Sequence, residues 1–119
     1  MARILLAEDD HEMRQFLAQS LRRAGHDVSA AEDGESAASA LERQGFDLLL
    51  ADVVMPGLDG VELAKRAAKA SPGVKIVFIT GFAAVALSHS SPAPRDAKVL
   101  SKPFHLKDLV AEVERVIAA

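Results

Sequence analysis

Leu48-Leu49-Leu50-Ala51-Asp52-Val53-Val54-Met55-Pro56-Gly57-Leu58-Asp59-Gly60 is the stretch whose reading decides the fold. Leu48 to Ala51 is apolar without alternation, the pattern of a strand in a parallel sheet with helices on both faces. Asp52 closes the run, and Pro56-Gly57 turns the chain at once. Asp59, with Glu62 three residues on, predicts the N-cap of the next helix. A strand that ends in a carboxylate and then breaks puts that acid where open α/β sheets bind their ligands.

Outward from this stretch the pattern repeats. Ile4-Leu5-Leu6-Ala7 is a first apolar run, ending in Glu8-Asp9-Asp10, and Val28 to Ala31 is a weaker strand. Val74 to Ile79 is a fourth strand, ending at Thr80-Gly81, and Ala97-Lys98-Val99-Leu100 a fifth, closed by Ser101-Lys102-Pro103. Met13, Phe16, Leu17, Leu21 and Ala24 recur at helical spacing, with Gly25 as the residue after the helix. An Ala-rich helix carrying Ala37, Ala38 and Leu41 ends at Gly45. Another runs from about Val61 to Ala70 and is stopped by Ser71-Pro72-Gly73. Leu106, Leu109, Val110, Val113 and Ile117 mark a last one. Between Phe82 and Arg95 only Ala83 to Leu87 could be helical, because Pro92 and Pro94 cut the segment off. Strands alternating with helices, five of each, predict a doubly wound parallel α/β sheet. A single domain, 1–119, is expected, with no residues left for an output domain. Phe16, Phe46 and Phe78 are expected in the core; His11, His26, His89 and His105 are expected at the surface.

Composition narrows the function. The chain has no cysteine, so disulfides and thiolate metal sites are excluded. Its net charge of −3 comes with no basic stripe, which argues against reading nucleic acid. No apolar run has transmembrane length, and acidic residues follow the first strand too early for a signal peptide. A cytoplasmic location with no membrane partner is expected.

The chemistry gathers at strand ends. Glu8 and Asp9 follow the first strand, Asp52 the third, Thr80 the fourth and Lys102 the fifth, and in a parallel sheet these ends share one edge. Clustered carboxylates repel, and a bound cation or a shared proton resolves the repulsion. All-oxygen ligands select a hard ion such as Mg²⁺. Lys102 and the Thr80 hydroxyl could hold phosphoryl oxygens, which completes the parts that aspartyl-phosphate chemistry needs. Taken singly, Asp52 is a turn-capping acid, Thr80 a β-former and Lys102 a surface lysine. Asp10 keeps the bland role of a solvated acid favouring the helix dipole.

In order and spacing, Ile4 to Asp10, Asp52 to Gly60, Thr80-Gly81 and Lys102-Pro103-Phe104 resemble the response-regulator receiver domain over essentially the whole chain. That resemblance implies a flavodoxin-like (CheY-like) sheet of order 2-1-3-4-5. It implies that Asp52 accepts a phosphoryl group from a phosphohistidine of a histidine kinase or histidine phosphotransferase. Asp9, Asp52 and the Val54 carbonyl would bind Mg²⁺, Glu8 would assist through water, and the Lys102–Pro103 bond would be cis. The chain would catalyse only its own phosphorylation and dephosphorylation. Residues 78–87, residues 97–103 and the Ala118-Ala119 ending look like a narrower group, the stand-alone regulators of alphaproteobacteria. Members of that group act, when unphosphorylated, as adaptors that prime the ClpXP protease for its substrates in cell-cycle control. A monomer is expected.

Competing readings are weaker. A phosphorelay shuttle, or a phosphate sink without an output partner, shares the site but lacks the second partner. A phosphatase of the haloacid-dehalogenase type needs an Asp where Val54 stands. Some positions depart from the common receiver pattern. Val99 replaces the usual switch aromatic, and His105 stands where an Asp often caps the last helix. Val54 and Phe82 offer no hydrogen bond to an attacking water, so slow autodephosphorylation is expected. Phe82, Val85, Val99 and His105 are the expected switch or interface positions.

Overall fold

β3 (Leu48–Asp52) is buried along its whole length and sits at the centre of the sheet. This is a computed structural model, and it describes residues 2–55, 57–80, 98–101 and 104–118. β1 (Arg3–Ala7), α1 (His11–Arg23), β2 (Asp27–Ala31) and α2 (Gly34–Arg43) precede β3. It is followed by α3 (Gly60–Ala70), β4 (Lys75–Thr80), β5 (Lys98–Ser101) and α4 (Leu106–Ala118). All pairings are parallel, and the strand order is β2-β1-β3-β4-β5. The expected architecture and order are therefore present. The expected helix at Ala83–Leu87 lies outside the described residues.

Successive side chains of a strand point to opposite faces, and this divides the core in two. Leu49 and Ala51 of β3 join Leu5 and Phe78 beneath α2 and α3, where Ala37, Leu41, Leu63 and Ala67 cover them. Leu48 and Leu50 join Ile4, Leu6, Val77 and Ile79 on the other face, under Leu17 and Leu21 of α1 and Leu109 and Val113 of α4. Burying a leucine or isoleucine side chain stabilises by about 1.5–3 kcal/mol. The run Leu48 to Ala51, with no polar position, is stable here because neither face meets water.

Three helices begin on an aspartate. Asp10, Asp33 and Asp59 accept the backbone N–H of Met13, Ser36 and Glu62 at 3.0, 2.7 and 2.8 Å. Each satisfies a donor that the first helical turn leaves unpaired. Asp59 is the cap expected from sequence, and Asp10 does more than the dipole role assigned to it. At Asp33 the Ser36 backbone N–H, and after it the Ser36 hydroxyl, hold the carboxyl below the usual carboxylate range. A lowered native value means that its contribution is present above the unfolded value and is lost as pH falls through the native one. Asp33→Asn keeps a good cap without the charge. It is expected to match the wild-type melting temperature near neutrality and to lose less of it below about pH 4. Thermal melts from pH 7 to pH 2 check this, and parallel curves would contradict it.

Two expectations from sequence fail. Phe16 is 56% exposed, not a core residue. The stripe that α1 buries is set by Leu17, Ala18 and Leu21; at about 100° per residue, Phe16 points roughly 140° away from its centre. His26 is not a surface residue: its side chain is 9% exposed. Gly25, at φ +98°, turns the chain after α1. The His26 ring is then drawn inward, where Nδ1 accepts the Ala2 N–H at 3.2 Å and Nε2 faces Glu114 of α4 at 3.7 Å. Phe46 and Phe78 are buried as expected.

Candidate functional site

The carboxyl ends of β1 and β3 lie side by side, because Ala7 is in register with Ala51. The next residues on each chain, Glu8 and Asp52, are therefore neighbours. Glu8 continues the ladder, its N–H donating to the Ala31 carbonyl at 3.1 Å. One carboxylate oxygen from each of Glu8, Asp9 and Asp52 lies within 4.8 Å of the others. The sequence-predicted acids thus converge. Glu8 is wholly buried and Asp52 is 7% exposed, while Asp9 faces solvent.

Local hydrogen bonds orient these acids. Glu8 Oε2 accepts the Asp10 N–H at 3.2 Å, which folds the side chain back toward the start of α1. Asp52 Oδ1 accepts the Val54 N–H at 3.1 Å, so the turn after β3 holds the carboxylate. Arg14 donates from one guanidinium nitrogen to the Glu8 carbonyl at 2.9 Å and pairs with His11 Nδ1 at 3.0 Å. Two buried carboxylates this close repel by about 3 kcal/mol at an effective dielectric near 20. An all-oxygen set with one exposed member fits a hard divalent cation that keeps part of its water shell. The chemistry of the donor set and its spacing therefore suit such an ion.

The remaining candidates are placed less fully. Thr80 ends β4, in register with Ser101 at the end of β5, so its backbone is on the same edge of the sheet. Lys102, Pro103, Phe82 and Val85 lie outside the described residues. Val54 is next to the acids and is 61% exposed. Val99 lies on β5 opposite Phe78 and is 37% exposed. The His105 carbonyl accepts from the Asp108 and Leu109 N–H groups at 3.0 and 3.1 Å, which places it at the cap of α4.

Gly60 is a part of the site that sequence reading passed over. Its N–H donates to the Val53 carbonyl at 2.9 Å, and a Cβ there would lie 2.2 Å from the Asp52 carbonyl oxygen. Only a residue without a side chain lets α3 begin against the backbone of Asp52. The signal was the Asp59-Gly60 pair, read for its cap alone.

A family model described as the response regulator receiver domain matches residues 4–114. The chain belongs to the response regulator receiver domain family, and membership implies a histidine-kinase partner. Among its relatives is the response regulator receiver protein CpdR of Brucella abortus. The two are 59% identical over 119 residues, 100% of this chain and 99% of that protein. The sensor kinase CckA of the same organism is 34% identical over 98% of this chain and 12% of its own length. A solved response regulator receiver protein from Sinorhizobium medicae superposes with a TM-score of 0.89 at 29% identity, over 98% of this chain and 94% of that one. No described helix is long and apolar enough to cross a membrane.

Proposed function

We propose that this chain is a phosphorylation-controlled single-domain regulator whose unphosphorylated form acts as an adaptor, priming the ClpXP protease for substrate degradation. The observation that carries the reading is the end-to-end identity of 59% with CpdR of Brucella abortus, in which neither chain has more than a residue or so unmatched. The resemblance read from residues 78–87 and 97–103 supports the same group. Convergence of Glu8, Asp9 and Asp52 supports phosphoryl chemistry at the switch.

In this reading an Asp52 carboxylate oxygen attacks the phosphorus of a phosphohistidine. The new O–P bond makes an acyl phosphate as the P–N bond breaks, and its electron pair leaves on the imidazole nitrogen. Asp9, Asp52 and the Val54 carbonyl would hold Mg²⁺, with Glu8 assisting through water, and the ion would supply positive charge beside the acids. The Val54 N–H that now binds Asp52 Oδ1 keeps the carboxylate oriented for attack. Thr80 and Lys102 take the remaining phosphoryl oxygens. The added group brings up to two negative charges, and a few kcal/mol of new pairing is enough to shift a two-state surface. Catalysis is limited to the chain's own phosphorylation and dephosphorylation, and the apolar exposed Val54 keeps the latter slow.

Affinity capture from lysate with two baits tests the adaptor role: Asp52→Ala, and wild type held with Mg²⁺ and beryllium fluoride. Recovery of a AAA+ protease only with Asp52→Ala is the expected result. Recovery of histidine-containing signalling proteins alone, with both baits, would make the chain a phosphoryl shuttle.

A further inference from the structure

The acids of this chain collect at the carboxyl edge of the sheet, and several cations lie at the opposite end. Asp10, Asp33 and Asp59 cap helix starts near Glu8, Asp9 and Asp52. Arg22, Arg23, Arg43 and Lys69 occupy last helical turns, and Arg3 opens β1. This polarity complements the helix dipoles, and one cleft between helices carries two cations. Between α2 and α3 a space of about 240 Å³ is bordered by Ala38, Leu41, Glu42, Arg66, Lys69 and Ala70. Ala70 also borders a depression of about 630 Å³ at the base of the sheet, where Arg3 stands.

We propose that the α2–α3 cleft is a docking site for an acidic peptide segment of a partner protein, which seats one aliphatic side chain between Leu41 and Ala70. The floor is apolar and small-walled, because Ala38, Leu41 and Ala70 leave room where larger side chains would close the gap. Arg66 and Lys69 rim it, both exposed, and neither belongs to an ion pair among the described residues. Glu42 is the single acid of the lining among the described residues, so the cations there outnumber it. Asp47 in the adjoining depression is engaged, its Oδ2 accepting the Arg3 N–H at 2.8 Å. An apolar anchor within a charged rim is the arrangement that gives a peptide both affinity and orientation. A nucleic acid fits less well: the chain's net charge is −3, and among the described residues no aromatic borders the cleft for a base to stack on. The site lies on the sheet face away from α1 and α4. A segment held there leaves the acidic edge open to a phosphodonor.

The test is fluorescence anisotropy with a labelled peptide of alternating glutamate and leucine. Controls are the same peptide with lysine for glutamate, the same peptide with glycine for leucine, and a labelled thymidine oligonucleotide of equal charge. Wild type is expected to bind the first peptide, and each of the three controls about tenfold more weakly or less. The Arg66→Gln, Lys69→Gln double variant removes both charges from exposed positions and keeps good helix formers there, so it is expected to melt only slightly below wild type and to bind the first peptide about tenfold more weakly. Equal binding of the lysine peptide, oligonucleotide binding as tight as peptide binding, or an unaffected double variant would overturn the proposal. So would no binding of the first peptide.

Discussion

Asp52→Asn is expected to abolish uptake of a phosphoryl group from a phosphohistidine donor and to remove most of the stabilisation that Mg²⁺ confers. The amide keeps the shape of the side chain and its acceptor for the Val54 N–H, so the fold has no reason to rearrange. It lacks the carboxylate oxygen that must form the O–P bond, and no other described carboxylate is both buried and held in that turn. One anion of the Glu8–Asp9–Asp52 group also disappears. Relief of a repulsion of a few kcal/mol, less the charge-assisted pairing that Asp52 gives up, is worth on the order of 1 kcal/mol. In chelator the variant is therefore expected to melt a few degrees higher than wild type. Added Mg²⁺ then raises the wild type, since an ion that binds only the folded state stabilises it by mass action, and it raises the variant much less. Melts with and without Mg²⁺, alongside phosphoryl transfer from a labelled donor, read both effects. Transfer that survives in the variant would place the acceptor elsewhere, and an equal Mg²⁺ response would place the ion elsewhere.

Gly60→Ala is expected to cost about 2–4 kcal/mol of stability and to impair phosphoryl uptake as well. The added Cβ would meet the Asp52 carbonyl oxygen at 2.2 Å, its carbonyl carbon at 2.9 Å and the Val53 Cα at 2.9 Å. All three are backbone atoms, so no side chain can rotate out of the way. Either α3 moves outward, losing the Gly60 N–H bond to Val53, or the end of β3 shifts and carries Asp52 with it. Overpacking of this kind costs about 1–3 kcal/mol, and the lost hydrogen bond about 1 kcal/mol more. Against a total stability of roughly 5–15 kcal/mol this is a large fraction. Gly57→Ala is the comparison. Gly57 has φ +75° but open space around it, so the cost there is only the backbone strain of about 1 kcal/mol. Urea unfolding of both variants should give a markedly lower midpoint for Gly60→Ala. A midpoint equal to wild type would mean that the helix start yields freely.

Much of this molecule was legible in its residues. Unbroken apolar runs at Ile4 to Ala7 and Leu48 to Ala51 are stable only where both sheet faces are covered, so by themselves they announced a parallel sheet. Aspartates before helical stripes marked the helix starts, because a short carboxylate is among the few side chains that satisfy the first free N–H groups. The acids at the strand ends announced a charged edge, because parallel strands end together. Each of these inferences rests on neighbours in the chain.

Only the tertiary structure decided the rest, and each such feature depends on groups far apart in sequence. Which side of α1 faces inward was settled by the packing of Leu17, Ala18 and Leu21 against the sheet and α4, and it left Phe16 outside. The His26 side chain is turned inward, where it meets the Ala2 N–H and Glu114, and nothing in its own segment foretells that. Glu8 and Asp52 converge because the β1–β3 register aligns Ala7 with Ala51. Gly60 is required because α3 starts against the Asp52 backbone. Periodicity and capping are local energies that a linear reading can weigh, whereas register, close approach and enclosure exist only after the chain has folded.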